Sequence, residues 1–250
     1  MKHCISQSII MRIKELGESD LLVTFFTEDK GRLKGVAKGA KRSRQRFPNC
    51  LDLFCLTNME YEERKTKPLS FLHSCRLIDA FVGIRQDFST LALASYMVEL
   101  TEILFPLSVA DKKMFKLLKN SLSALHNGQQ NDLVRILFEI QAMAIGGYTI
   151  NLSKCHVCGR TYQGKGKAIF LRSEGGIACL KCKRETSVAP ALEPADIKWL
   201  TKIYSSEPSA LNENKILPAE QKIMSTIKRV SKLHIEYHLA QKLKTGKYLD

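Results

Sequence analysis

Four of the chain's eight cysteines fall as two pairs, Cys155 with Cys158 and Cys179 with Cys182, separated by twenty residues. Two Cys-x-x-Cys knuckles at that distance can present four thiolates to one tetrahedral zinc ion. Four protein ligands leave no open position for water, so the expected role is structural, with one Zn2+ per chain and no catalysis at the metal. The competing reading, four unrelated thiols or a disulfide pair, suits an oxidising compartment better than a basic cytoplasmic protein. Gly159 and Gly175-Gly176 beside the cysteines suit the tight turns of a zinc ribbon. His156 lies inside the first knuckle, but four cysteines already complete the shell. Cys4, Cys50, Cys55 and Cys75 have no comparable spacing and read as core residues.

The second chemically suggestive stretch is basic. Residues 30–51 contain Lys30, Arg32, Lys34, Lys38, Lys41, Arg42, Arg44 and Arg46 and no acidic residue. Eight like charges without an acid among them repel one another unless an anion neutralises them, which favours phosphate binding over a merely solvated loop. Gly35, Gly39 and Ala40 allow close approach of the backbone. The expected phosphate contacts are Arg32, Lys34, Lys38, Lys41, Arg42, Arg44 and Arg46, joined by Arg12 and Lys14 in one cationic groove. Phe47, Phe54 and Tyr61 read first as core, with a base-stacking platform as the alternative.

Two apparent motifs carry no chemistry. Residues 159–165 match the first part of a phosphate-cradling loop, but Gly166 stands where Ser or Thr is required and the stretch lies within the cysteine-rich segment. His234-Ile235-Glu236 has the His-x-Glu form of zinc deaminases, yet it follows both cysteine pairs and Ala178 precedes Cys179 where proline is expected. That spacing predicts a helix with a solvated Glu236.

The elements that must position these residues come in three kinds. Alternation over 7–16 puts Ile9, Met11 and Ile13 on one face and Ile10, Arg12 and Lys14 on the other, and 21–27 is a β-forming apolar run. With 32–38, 53–61 and 71–77, and a polar link at 62–68, this makes five strands in about eighty residues, the number and size of an oligonucleotide-binding (OB-fold) barrel. On β 32–38, Leu33 and Ala37 face in. Helical periodicity follows over 89–105, stopped by Pro106; over 112–127, capped by Asp111; and over 133–145, closed by Gly146-Gly147. Its apolar stripes read as core. Short β-like pieces such as 168–172 accompany the cysteines, and helices return over 194–204 and 219–244. The expected fold is α+β, with an OB-fold domain at 1–80, a helical bundle at 81–152, an inserted Cys4 zinc ribbon at 153–190, and C-terminal helices at 191–250 that pack on the bundle.

Thirty-nine basic against twenty-five acidic residues give a formal charge of +14 and a pI near 9.4. The excess is +5, 0, +6 and +3 over the four segments in order, so a polyanion is the expected partner and the bundle is neutral. At 44% hydrophobic and 26% charged the composition excludes a disordered or fibrous chain. The apolar runs 21–26 and 136–145 are too short or interrupted for a membrane span, and the first residues lack a signal-peptide pattern, which predicts a cytoplasmic protein without a membrane partner. An RNA-binding or transcription-associated zinc-ribbon protein is one alternative. A metal-dependent nuclease is another, but Asp20, Glu28 and Asp29 form no carboxylate cluster able to hold Mg2+.

The ordered set of features resembles a known family. Residues 9–16, Gly17-Glu18-Ser19-Asp20, Lys30-Gly31-Arg32 and Gly35-Val36-Ala37-Lys38-Gly39-Ala40-Lys41-Arg42 resemble the N-terminal barrel of the bacterial recombination mediator family RecO. The order of barrel, bundle, ribbon and final helices, with Glu236-Tyr237-His238-Leu239 and Lys242-Leu243-Lys244 at the end, extends the likeness over the whole chain. The resemblance implies a DNA repair protein, not an enzyme, that binds single- and double-stranded DNA and anneals complementary strands without ATP. It implies RecR and the single-stranded DNA-binding protein, through its acidic C-terminal tail, as partners, RecA indirectly, and a place at the nucleoid. It carries Lys34, Lys38, Lys41 and Arg42 over as DNA contacts. Because some members lack the cysteines, it makes the ribbon a fold support.

Overall fold

The computed structural model describes residues 2–63, 69–206, 220–239 and 243–249. Part of the polar link at 62–68, and residues 219 and 240–242 of the expected helix 219–244, Lys242 among them, lie outside them.

Five strands close into a barrel in the order β1-β2-β3-β5-β4: β1 (Lys2–Leu16), β2 (Asp20–Thr27), β3 (Gly31–Ala37), β4 (Leu56–Glu63) and β5 (Ser70–Asp79). β1 is long enough to pair antiparallel with β4 through Lys2–Ile9 and with β2 through Ser8–Leu16, which bends it around the barrel. β3 meets β5 in parallel at Gly35 and Val36, the single parallel contact of the closure. The barrel has its own core, built on Ile10, Val23, Phe25, Met59, Tyr61 and Leu72.

Strict alternation fails in β1. The register shifts between Ile10 and Arg12, and Ile9, Ile10 and Met11 are all buried. A bulge of this kind turns one side chain out of sequence. Ile10 enters the barrel with Ile13 packed beside it, while Ile9 and Met11 join the core of the helices. The expected common face of Ile9, Met11 and Ile13 is therefore corrected, because here the barrel's outer face is itself buried. The fourth strand also starts three residues later than 53–61 predicts. Phe54 turns with φ 69° and donates its amide to the Ile10 carbonyl, whose own amide donates to the Cys55 carbonyl, so that the Phe54 ring reaches the helical core.

The helices are α1 (Phe88–Leu104), α2 (Lys112–His126), α3 (Asn131–Ile145), α4 (Pro194–Tyr204) and α5 (Gln221–His238). Asp87 and Asp111 cap the first two, accepting from the amides of Thr90 and Met114 at 2.8 Å. α3 is the central helix, packed against α1, α2, α4 and α5. Its Arg135 and Glu139 form a buried pair at 2.9 Å, and Tyr96 and Ser231 donate to the same carboxylate. α5 ends earlier than 219–244 predicts: the backbone extends at Leu239, and residues 243–249 return over α1. There Glu99 accepts from the amides of Lys244 and Thr245 at 2.9 Å.

Between α3 and α4 lies a small sheet in the order β6-β8-β7-β9: β6 (Asn151–Cys155), β7 (Ala168–Leu171), β8 (Gly176–Cys179) and β9 (Ala191–Leu192). It overruns the expected 153–190 segment at both ends. Its inner side, Ala168, Phe170, Ile177 and Leu192, joins the helical core, whereas the outer side has only Cys155, Ile169, Leu171 and Ala178 as a core of its own.

Barrel and helices meet along a tight seam. The amide of Ser108 donates to the Arg32 carbonyl at 2.8 Å, and a β-carbon on Gly31 would lie 1.9 Å from the Val109 carbonyl oxygen. Only glycine fits there.

Candidate nucleic-acid interface and metal centre

The basic stretch leaves β3 as a fastened loop. Gly39, at φ 65°, donates its amide to Asp20 at 2.8 Å, holding that carboxyl below the usual range, and starts a single 3-10 turn over Ala40–Arg42. The Lys41 amide donates to the Ser19 carbonyl at 3.1 Å, and the Cys75 amide donates to the Arg46 carbonyl at 2.8 Å, which ties the loop to the β1–β2 turn and to β5. Phe47, Phe54 and Tyr61 are buried, so each takes the core role and none is a stacking platform.

On this frame the seven expected contacts divide into three kinds. Lys34, Lys38 and Arg44 are exposed and have no ion-pair partner among the described residues. Lys41 lies 2.8 Å from Glu15 and Arg42 3.8 Å from Glu18, while Arg46 donates to the Lys38 carbonyl at 2.6 Å and covers the Phe47 ring at 5.3 Å. These three face solvent but have other work. Arg32 is apart from the rest: its side chain is 17% exposed, at the seam, with Nη1 3.7 Å from Glu102, which Arg12 also holds at 2.7 and 2.9 Å. Burial pushes the Arg32 guanidinium down from its ordinary value, and its Nε has no hydrogen-bond partner among the described residues. The expectation that the run has no compensating acid is thus corrected. The acids come from β1, its turn, β4 (Glu63 beside Lys30) and α1, a pairing fixed by barrel closure and invisible within residues 30–51.

The four paired cysteines converge. All four sulfurs lie within 4.8 Å of one another, with Cys158 to Cys179 at 3.9 Å and Cys179 to Cys182 at 3.5 Å. Tetrahedral zinc with bonds of about 2.3 Å requires sulfurs roughly 3.8 Å apart, so the donor set fits. Burial alone would push the Cys155 thiol up, but the amides of Cys158, Cys179 and Val157 bring it down to about 6. The hydrogen bond shared with Cys182 lowers Cys179. These shifts favour thiolates at Cys155 and Cys179, whereas the hydrogen bond with Cys179 pushes Cys182 up to about 12. His156 turns away, 3.0 Å from Glu174. Residues 159–165 form a loop within this module with no helix following, and Glu236 is exposed on α5, in keeping with both being read as chance.

The barrel matches the model of the recombination protein O N-terminal domain over residues 1–81, and the rest matches the C-terminal domain over 85–247. The chain belongs to the RecO family. Its relatives include the DNA repair protein RecO of Desulfatibacillum aliphaticivorans, 31% identical over the whole chain and 97% of the relative. That of Syntrophus aciditrophicus is 28% identical over 98% of this chain and 94% of the relative, and that of Geobacter metallireducens 34% over 76% and 77%. This chain is thus a DNA repair protein of that family, with an OB-like barrel and a cysteine cluster that could hold a metal ion. Among the described residues no helix is long and apolar enough to cross a membrane.

Proposed function

We propose that this RecO protein binds single- and double-stranded DNA along the edge of its barrel and anneals complementary strands, without catalysing bond chemistry. The reading rests chiefly on three exposed cations with no ion-pair partner among the described residues, Lys34 on β3 and Lys38 and Arg44 on the fastened loop that follows it. Lys41, Arg42 and Arg46 flank them, with Arg32 at the seam end. Backbone phosphates are the ligands such groups suit, since they need charge and not base-edge geometry. Holding two strands on neutralising cations lowers their repulsion, and base pairing supplies the free energy. The metal is structural Zn2+, held by Cys155, Cys158, Cys179 and Cys182. In the cell the protein acts in the cytoplasm at the nucleoid, with RecR and with the acidic tail of the single-stranded DNA-binding protein, to assist loading of RecA.

Mixing complementary oligonucleotides with the purified protein across a salt series, with and without ATP, tests this. Annealing is expected at equal rates with and without nucleotide, slowing as salt rises. Failure to anneal at low salt, or dependence on ATP that Lys165→Ala abolishes, overturns the reading. A preference for ribose strands would move it to RNA.

A further inference from the structure

A cavity of about 700 Å3 opens where the barrel, α1 and the end of α5 meet. Arg12, Arg32 and Lys244 line it against two acids, Glu99 and Glu102. Glu99 is occupied by the amides of Lys244 and Thr245, and Glu102 by the two arginines, so the wall keeps a net positive charge.

Tyr148 and His238 line the rest of it beside Ile103, Pro106 and Leu239, and Tyr237 lies next to His238. The Tyr148 ring packs on His238 at 5.2 Å, His238 packs on Tyr237 at 5.2 Å, and the Arg172 guanidinium lies 5.5 Å from the Tyr237 ring. Behind them His234 contacts His238 at 4.6 Å and is hydrogen-bonded to the Tyr148 carbonyl at 2.8 Å. The shelf is thus fixed from below, yet Tyr148 is 36% and Tyr237 49% exposed. Rings serving only to pack the ribbon on α5 would be covered.

The cavity adjoins the barrel's basic edge. Arg12 is opposite Thr24, and Thr24 is opposite Lys34, which places Lys34 two strands, about 10 Å, from Arg12. Arg32 is the next residue on the same face of β3, about 7 Å from Lys34. We propose that the shelf of Tyr148 and Tyr237 is a nucleobase-stacking site for single-stranded DNA, continuing a path that runs from Lys38 and Lys34 past Arg32 and Arg12. The inference rests on the proposed DNA binding by the barrel. Unpaired bases offer free faces to tyrosine and bring phosphates to the adjoining cations, whereas duplex bases are already stacked on one another.

Binding of three labelled probes of equal length tests it: an intact single strand, an abasic single strand and a duplex. The unaltered protein is expected to hold the intact strand at least about fivefold more tightly than the abasic one, the lower limit for one stacked base. Joint Tyr148→Ala and Tyr237→Ala replacement should abolish that difference and leave abasic and duplex binding unchanged, while Tyr148→Phe with Tyr237→Phe keeps it. Equal affinity of the unaltered protein for intact and abasic strands overturns the proposal, as does an alanine variant of unchanged metal content that retains the full difference. Failure of the barrel reading is read separately, as unchanged duplex and abasic binding when Lys34, Lys38 and Arg44 become alanine.

Discussion

The barrel and the ribbon carry nearly the same excess of positive charge, +5 and +6, on different supports. The barrel closes its own hydrogen-bond ring around a core of large apolar side chains. Outside the face it lends to the helices, the ribbon has three buried apolar residues, Ile169, Leu171 and Ala178, and four thiols. Equal charge therefore does not imply equal function. Cations on the barrel are held where closure puts them, whereas those on the ribbon stay in place only if its sulfurs are held together.

The largest effect expected from breaking this contrast is at the metal. Cys179→Ser should release it and unfold the outer part of the ribbon at a cost of several kcal/mol, because binding a structural zinc is worth on the order of 10 kcal/mol to so small a module. Elemental analysis and limited proteolysis would show a metal-free, cleavable ribbon beside an intact barrel. Loss of the barrel's protection in the same digestion would show that the two supports are not independent.

Next in size is the acid response of the surface where the ribbon docks. Burial lowers the His234 imidazole to about 4, against an ordinary value of 6.5, with its ring 6.0 Å from Phe170 of β7. Between those values the unfolded chain holds more protons than the folded one. Stability is thus complete above pH 6.5 and falls as the pH drops toward 4, by up to about 3 kcal/mol. Denaturant unfolding at pH 7 and pH 5 should show the loss, and His234→Gln should flatten it. An unchanged pH slope in that variant would place the acid sensitivity elsewhere.

A third comparison removes the same charge from each support. Lys34→Ala, Lys38→Ala and Arg44→Ala together should flatten the salt dependence of single-strand binding by about 2 in log–log slope, since each lost phosphate contact removes about 0.7. Replacing Lys181, Lys183 and Arg184, all exposed on the ribbon, should change it less. Charge removal at Lys112, Lys113 and Lys116 of the neutral bundle is the control. Equal flattening by all three sets would mean that net charge alone binds DNA.

The contrast also explains what could be read from the chain. The cysteine cluster was legible because Cys-x-x-Cys is a local pattern whose chemistry does not depend on the rest of the fold. The strands and helices were legible where one face meets a core and the other meets water, as in α2. β1 was misread where both faces are buried, since alternation then has no polar side to follow and only the bulge places Ile10 inside and Met11 outside. Nor could the partners of the basic loop be read, because Glu15, Glu18 and Glu102 reach it through strand register and the docking of α1.

Those partners give the smallest and most discriminating effect. Glu15 is 76% and Glu18 92% exposed, so their pairs with Lys41 and Arg42 add little to stability. They still compete with phosphate for the same cations. Glu15→Gln with Glu18→Gln should leave the melting temperature nearly unchanged and tighten DNA binding at low salt, by about two- to fivefold if each pair is worth a few tenths of a kcal/mol. The gain should fade as salt screens the competing charges. It should also vanish when Lys41 and Arg42 are replaced by alanine, since the acids then have no cation to release. A gain that survives those replacements would mean that the carboxylates repel the DNA directly and that the loop's pairing does not tune its affinity.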